Sequence, residues 1–534
     1  MFKKVCELNL GFSDAENYKR KENKDLFNNI FLKGDYLDKI LEPRISFLIG
    51  EKGTGKTAYA VYLSNMEYSN TNSEIKYIRE TEYNKFISLK RSKQLELSEF
   101  SDVWKIIILL LISNQVVSKE NNILSFGKIK AIKDAIDDYY NNAFSPEISQ
   151  AISFVEEAEV TAGIVNKYIN LGAKSKDFQE INTSRFQINL FYLRKKFEDA
   201  LSQIKLKKDY ILFIDGIDIR PSHVSYQEYI ECIKGLANAI WELNNDFFPN
   251  IKDSKGRMKA ILLVRPDIFQ SLGLQNQNTK IRSNSVLLDW ITEYDNHRNS
   301  SLFEMTDQIL KSHQTKTILA NYCIGQAWDN YFPWDTKNYN KPEKYQSEYT
   351  SFVHFLRWSY CRPRDIVTML LQLQEVSNRN NKNSYTFQYK DIEDPTFLRD
   401  YSSYLLGEIK DHLLFYYSLG EYELFLKFFE YLNGSTRFTY NEYLDAFEKL
   451  KDYIKSIDAP APKFMNTANE FLQFLYELNV ICYKQTLADS HYTHFHWCFK
   501  DRSYANISPK VMVGVEYEVF YGLAKALNLG KKFK

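Results

Sequence analysis

The chain has 534 residues, 44% hydrophobic and 26% charged, with a formal net charge of +1. That length asks for more than one domain, and that balance excludes a disordered polyelectrolyte and any global pull toward nucleic acid or anionic membrane. Cys6, Cys232, Cys323, Cys361, Cys482 and Cys498 are scattered without a CxxC pair, and MFKKVCELNL shows no signal peptide, so reduced thiols and a cytoplasmic location are expected.

In chain order, the first strong element is the apolar run ISFLI (45–49), a buried strand, followed at once by GEKGTGKT and the helical pattern KTAYAVYL. EIKYI (74–78) is a second strand. A long helical stretch then occupies about 80–205, with DVWKIIILLLISNQVV, AIKDAIDDYY, EISQAISFVEEAEVTAGIVNKYI and RFQINLFYLRKKFEDALSQI. Its most apolar run, IIILLLI (106–112), is too short to span a bilayer and reads as a core helix, so no membrane span is expected. Three further strands follow, YILFI (210–214), AILLV (260–264) and SVLLD (285–289). Near-continuous apolar strands alternating with helices predict a five-stranded parallel sheet buried on both faces, an α/β fold over residues 1–290 with the helical insertion inside it.

After 290 the strand signal stops. Residues 291–400 are expected to form a helical lid interrupted by the loop WDTKNYNKPEKYQ. Residues 401–534 carry LFLKFFEYL, YNEYLDAFEKLKDYI and TANEFLQFLYELNV, then ICYKQ, the turn LADS and HYTHFHWCF. Helices followed by a hairpin are the layout of a winged helix.

GxxxxGK[ST] is complete in Gly50, Gly55, Lys56 and Thr57, with Glu51, Lys52, Gly53 and Thr54 filling the loop. The glycines let backbone N–H groups turn inward on phosphate oxygens, Lys56 reaches the β and γ phosphates, and the Thr57 hydroxyl is a ligand for Mg²⁺. The following helix adds its positive end. A plain glycine turn would leave the Lys–Thr pair unexplained. YILFIDGID supplies the next requirement: Asp215 at the end of a buried strand to hold the metal, and Asp218 to orient the attacking water. The alternative for Asp218 is a capping aspartate of the turn before Arg220-Pro221. Arg265 follows AILLV directly and would emerge where open α/β sheets bind ligands, facing a γ-phosphate; the alternative is a surface arginine paired with Asp267. In CRPRDI, Pro363 and Arg364 open a helix, with Arg364 either aimed at the phosphates or solvated beside Asp365.

GEKGTGKTA, IDGID, LLVRPD and CRPRDI together resemble the STAND and origin-recognition-like P-loop ATPases, the branch with an extra strand between the two Walker strands, over roughly residues 10–375 and more weakly through the winged helix. The resemblance implies ATP as the nucleotide, with Asp215-Gly216-Ile217-Asp218 as the second Walker motif, Arg265 as a first sensor and Arg364 as a second. Most AAA+ enzymes place Glu where this chain has Gly216, which points to slow, switch-like hydrolysis. The resemblance further implies self-association with ATP, output to a separate effector or partner protein, and a setting in bacterial anti-phage defence. Which arginine would act across a subunit interface is open between Arg220 and Arg282.

His494, His496 and Cys498 alternate as on one face of a strand, with His491 near; a zinc half-site there lacks a convincing second ligand pair, and packing of a hairpin on helices is the preferred explanation. A DNA-binding, origin-recognition type of function is the competing class. It is disfavoured because the would-be recognition helix at 466–480 holds Glu470 and Glu477 and no Lys or Arg. The tail lysines Lys531, Lys532 and Lys534 read as solvated charge.

Overall fold

The computed structural model describes residues 2–78, 97–120, 126–142, 183–221, 224–337, 339, 341–486, 493–503, 506 and 508–530. The expected helix EISQAISFVEEAEVTAGIVNKYI, the tail lysines and His491 lie outside the described residues. The chain divides into two compact units, one of Tyr18–Lys21 with Lys33–Leu288, the other of Met1–Asn17, Glu22–Leu32 and Asp289–Lys534.

The first unit is built on a five-stranded sheet, all parallel. Its strands are β1 (Phe47–Ile49), β2 (Thr71–Tyr77), β3 (Asp209–Asp215), β4 (Met258–Val264) and β5 (Ser285–Leu287), in the order β2-β3-β4-β1-β5. β4 therefore lies between β1 and β3. Every residue of β1 and β4 is buried, as a sheet covered on both faces requires. The edge strand β2 reads TNSEIKY and buries only Thr71 and Ile75, which keeps an unpaired edge polar.

The helices of this unit include α1 (Asp35–Leu41), α2 (Lys56–Asn65), α3 (Leu97–Lys119), α4 (Phe126–Asn142), α5 (Thr183–Ser202), α6 (Tyr226–Glu242) and the short α7 (Pro266–Ser271). Ile106 to Ile112 on α3 are all buried. Among the described residues only Phe100–Lys119 is long and apolar enough to cross a membrane, and 83% of its apolar window is buried inside the fold. At Gly235 of α6 a Cβ would stand 2.6 Å from Phe100 Cβ, so α3 and α6 approach at a contact only glycine permits.

The second unit begins with an aromatic core. Trp328 stacks on Phe332 at 4.1 Å, Phe332 on Phe387 at 4.6 Å, and Phe352 meets Trp328 edge-on at 4.9 Å. Phe303 of α8 (Ser301–Lys311) meets Trp328 and Phe352 at 6.1 and 5.1 Å, and Phe352 lies on α9 (Ser351–Trp358); α10 (Pro363–Asn381) follows. Helix α11 (Pro395–Tyr416) runs straight through residue 400, where the sequence pattern suggested a boundary. Then come α12 (Leu419–Glu430), β6 (Arg437–Thr439), α13 (Tyr440–Ser456), α14 (Ala468–Glu477), β7 (Ile481–Thr486), β8 (Thr493–His496), α15 (Cys498–Asp501) and β9 (Glu516–Val519). Ser418 and Thr439 open α12 and α13 with capping boxes. The four strands form an antiparallel sheet in the order β6-β9-β7-β8, so the late strand β9 is inserted beside β7.

One local reading changes. Strand β8 ends at His496 and Cys498 opens α15, so His494, His496 and Cys498 are not on one strand; His496 instead stacks on Tyr483 at 4.6 Å. Helix α14 does carry an exposed Glu470, and its Gln473 side chain bonds to Pro509 O and Val511 N at 3.0 and 2.9 Å, fastening the 509–511 segment to it.

Candidate functional site at the carboxyl edge of the parallel sheet

The loop Gly50–Gly55 leaves the end of β1 and delivers the chain into α2. Its shape is a glycine shape. Gly53 and Gly55 hold φ of 89° and 95°, and a Cβ on Gly50 would collide with the Thr54 hydroxyl. The Thr54 hydroxyl donates to Glu51 O at 2.8 Å, tightening the turn. Lys52 sits at the turn between them. Lys56 is 6% exposed and curls under the loop, its Nζ donating to Gly50 O at 2.8 Å and Glu51 O at 3.2 Å.

Thr57, one residue on, reaches across to β3. Its Oγ1 donates to Asp215 Oδ2 at 2.6 Å, while Asp215 Oδ1 accepts from Gly216 N at 2.8 Å. Asp218 follows on the same turn; its Oδ1 is buried without a hydrogen-bond partner among the described residues. Arg265 caps β4 and is 1% exposed. Because Ile49 pairs with Val264 in register, Arg265 emerges directly beside Gly50. The pairing with Asp267 exists, at 2.5 Å between Nη2 and Oδ2, but on a buried arginine and not on a surface one.

The electrostatics follow from burial. Desolvation pushes the Lys56 ammonium below the ordinary lysine value; the charges of Asp218 and Asp215 oppose this and that of Arg265 adds to it. Burial likewise raises the Asp215 carboxyl, the Thr57 hydrogen bond lowers it, and the Asp218 charge raises it again. Two buried cations and two carboxylates thus converge at one sheet edge, where perturbed groups mark candidate sites. A hydroxyl beside a carboxylate is a hard oxygen donor pair of the type Mg²⁺ takes, and the orphaned oxygen of Asp218 is a third acceptor close by. The residues present therefore fit that ion. Among the described residues no group of three or more His, Cys, Asp and Glu is arranged to hold a metal.

Arg364 is placed elsewhere, in the second unit. It stands in the first turn of α10, where Pro363 takes the first position, and engages Ser13 O at 3.3 Å and Glu408 at 3.6 Å. Asp365 is taken by a different arginine. Arg362 grips it through two bonds, 2.9 and 2.7 Å, and Tyr360 N and Tyr404 OH complete its shell at 2.9 Å each. Sequence reasoning overlooked this buried knot. The Arg362–Asp365 spacing of three was a usable signal; Tyr404, 39 residues away, was not.

No family model, curated protein or solved structure matches the chain. What the fold defines is a class: an α/β unit with an all-parallel sheet and its candidate residues at the carboxyl edge.

Proposed function

We propose that the protein binds ATP with Mg²⁺ at Gly50–Thr57 and Asp215, hydrolyses it slowly, and passes its nucleotide state to partner proteins as a switch of STAND type. The observation that carries this reading is the Thr57–Asp215 hydrogen bond, which joins the hydroxyl after a complete glycine–lysine loop to the acid at the end of β3, 158 residues later. Mg²⁺, when bound, supplies charge neutralisation of the phosphates; Thr57 and Asp215 are the residues that would hold it.

This chain's own groups divide the remaining work. Lys56 exchanges the loop carbonyls it now caps for phosphate oxygens. Asp218, with its unsatisfied oxygen, orients water. Arg265 neutralises charge beside Gly50. Slow turnover is favoured because position 216 cannot carry the glutamate of fast AAA+ enzymes: Gly216 has φ of 88°, and a Cβ there would lie 2.6 Å from Ile78 O. The order of β4 between β1 and β3 agrees with the branch the sequence resembles. In the same reading α12, α13 and α14 with β7–β8 form the winged helix.

The test is nucleotide titration of the wild type and Lys56→Ala, with phosphate release followed under single turnover. Tight Mg²⁺-dependent ATP binding that Lys56→Ala abolishes is expected. Equal affinity in the variant sinks the assignment.

A further inference from the structure

Arg265 does not stand alone at the sheet edge. Its side chain is 2% exposed, and Asp267 meets it with a fork, Nε to Oδ1 at 3.1 Å and Nη2 to Oδ2 at 2.5 Å. A guanidinium so buried requires a counter-charge. Asp267, with its side chain 25% exposed, is the solvent-facing half of the pair. The pair is held close to the loop, because Gly50 N donates to Val264 O at 3.2 Å and Val264 immediately precedes Arg265. Arg265 also acts on the Lys56 ammonium through its charge, so the two cations share one region of space. Pro266 lies between the partners at the start of α7, and its ring fixes the backbone that sets their separation.

We propose that Asp267 competes with the terminal phosphate of the nucleotide for Arg265, so that the Arg265–Asp267 pair, and not Arg265 alone, sets how strongly the site prefers a triphosphate to a diphosphate; this rests on the nucleotide reading above. Carboxylate and phosphoryl oxygens offer a guanidinium the same bidentate geometry. A terminal phosphate beside Gly50 gains Arg265 only to the extent that Asp267 gives it up. Asp267 cannot leave, being tethered two residues away. The diphosphate lacks the competing group and leaves the fork intact. Asp267 is a positioning residue in this scheme, acting through Arg265.

Calorimetric titration with Mg·ATP and Mg·ADP decides it, on wild type, Asp267→Asn, Arg265→Gln and the double variant. Removing the competitor is expected to raise the ratio of ADP to ATP dissociation constants about tenfold in Asp267→Asn, which corresponds to about 1.4 kcal/mol. Arg265→Gln is expected to lose ATP affinity selectively, because Asp267 then faces the phosphate unneutralised, and the double variant is expected to regain part of that loss. A ratio in Asp267→Asn that falls, or stays within about twofold of wild type, overturns the proposal; so does a change in melting temperature alone, which is all a structural role would give. If Asp267→Asn does not fold, the comparison of Arg265→Gln with the double variant decides, since the double leaves neither charge buried without its partner; no regain overturns the proposal. Wild type that binds neither nucleotide refutes the nucleotide site itself. Binding lost in Lys56→Ala together with an unchanged ratio in Asp267→Asn refutes only the competition.

Discussion

Thr57 Oγ1 donates to Asp215 Oδ2 at 2.6 Å, a direct bond between the first turn of α2 and the end of β3. A hydroxyl that donates to a carboxylate can instead turn its lone pairs to a cation held between them. Thr57→Val keeps the shape and removes the hydroxyl, so Mg²⁺-dependent ATP affinity should fall about 10–100-fold, while Thr57→Ser should retain it. Titration of both variants with and without Mg²⁺ checks this; an unchanged metal dependence in Thr57→Val refutes it.

Gly216 is constrained twice, by φ of 88° and by Ile78 O at 2.6 Å from any added Cβ. Ile78 N also donates to Asp215 O at 2.9 Å, so this backbone crossing is part of the sheet edge. Gly216→Ala should cost at least about 1–3 kcal/mol from the backbone conformation alone. Gly216→Glu should lower the melting temperature without raising turnover. A faster, equally stable Gly216→Glu protein would contradict the account of slow hydrolysis.

Lys259 is buried in β4 and donates to Ile40 O and Glu42 O at 2.6 and 2.7 Å, closing the end of α1. Burial pushes its ammonium down to about 7 from an ordinary 10.5. Between those values the unfolded chain holds a proton that the folded chain lacks, so this group makes stability rise with pH, by up to about 1.4 kcal/mol per pH unit. Below the lower value the contribution is flat. Urea unfolding should therefore show the wild type gaining on Lys259→Met as pH rises through that window, and parallel curves would refute the assignment.

Asp365 is fully buried, with Arg362, Tyr404 and Tyr360 N around it. Asp365→Ala removes the carboxylate that grips the buried Arg362 guanidinium and should cost about 3–5 kcal/mol. Arg362→Met combined with Asp365→Leu should recover most of that stability. Denaturant midpoints measure both; a single variant as stable as wild type would show the knot to be dispensable.

The five parallel strands were legible to within a few residues, most clearly β1, β3 and β4, which are buried on both faces and leave an unbroken apolar run such as AILLV. The loop was legible because its residues are contiguous. Strands β6 and β9 were not, being three and four residues long and paired to each other across the whole terminal unit. RFT and EYEV carry no pattern longer than chance, and only the partner strands give them form. The fate of Arg364 was equally unreadable: its neighbour Asp365 is adjacent in sequence, yet a helix start points the two side chains apart, and Arg362 at three residues' spacing takes the carboxylate.

The opening thirty residues belong almost wholly with the end of the chain. Tyr331 OH donates to Lys3 O, Val5 N to Ser384 O, and Gln374 Nε2 to both Val5 O and Leu8 O. They precede these partners in synthesis by more than 300 residues. The parallel-sheet unit can complete itself in the interval, its last strand ending at Leu287. A fragment cut near residue 290 would therefore not separate one finished body from another. It would release a sheet unit trailing a leader with nothing to pair with, and leave behind helices stripped of the strap that closes them.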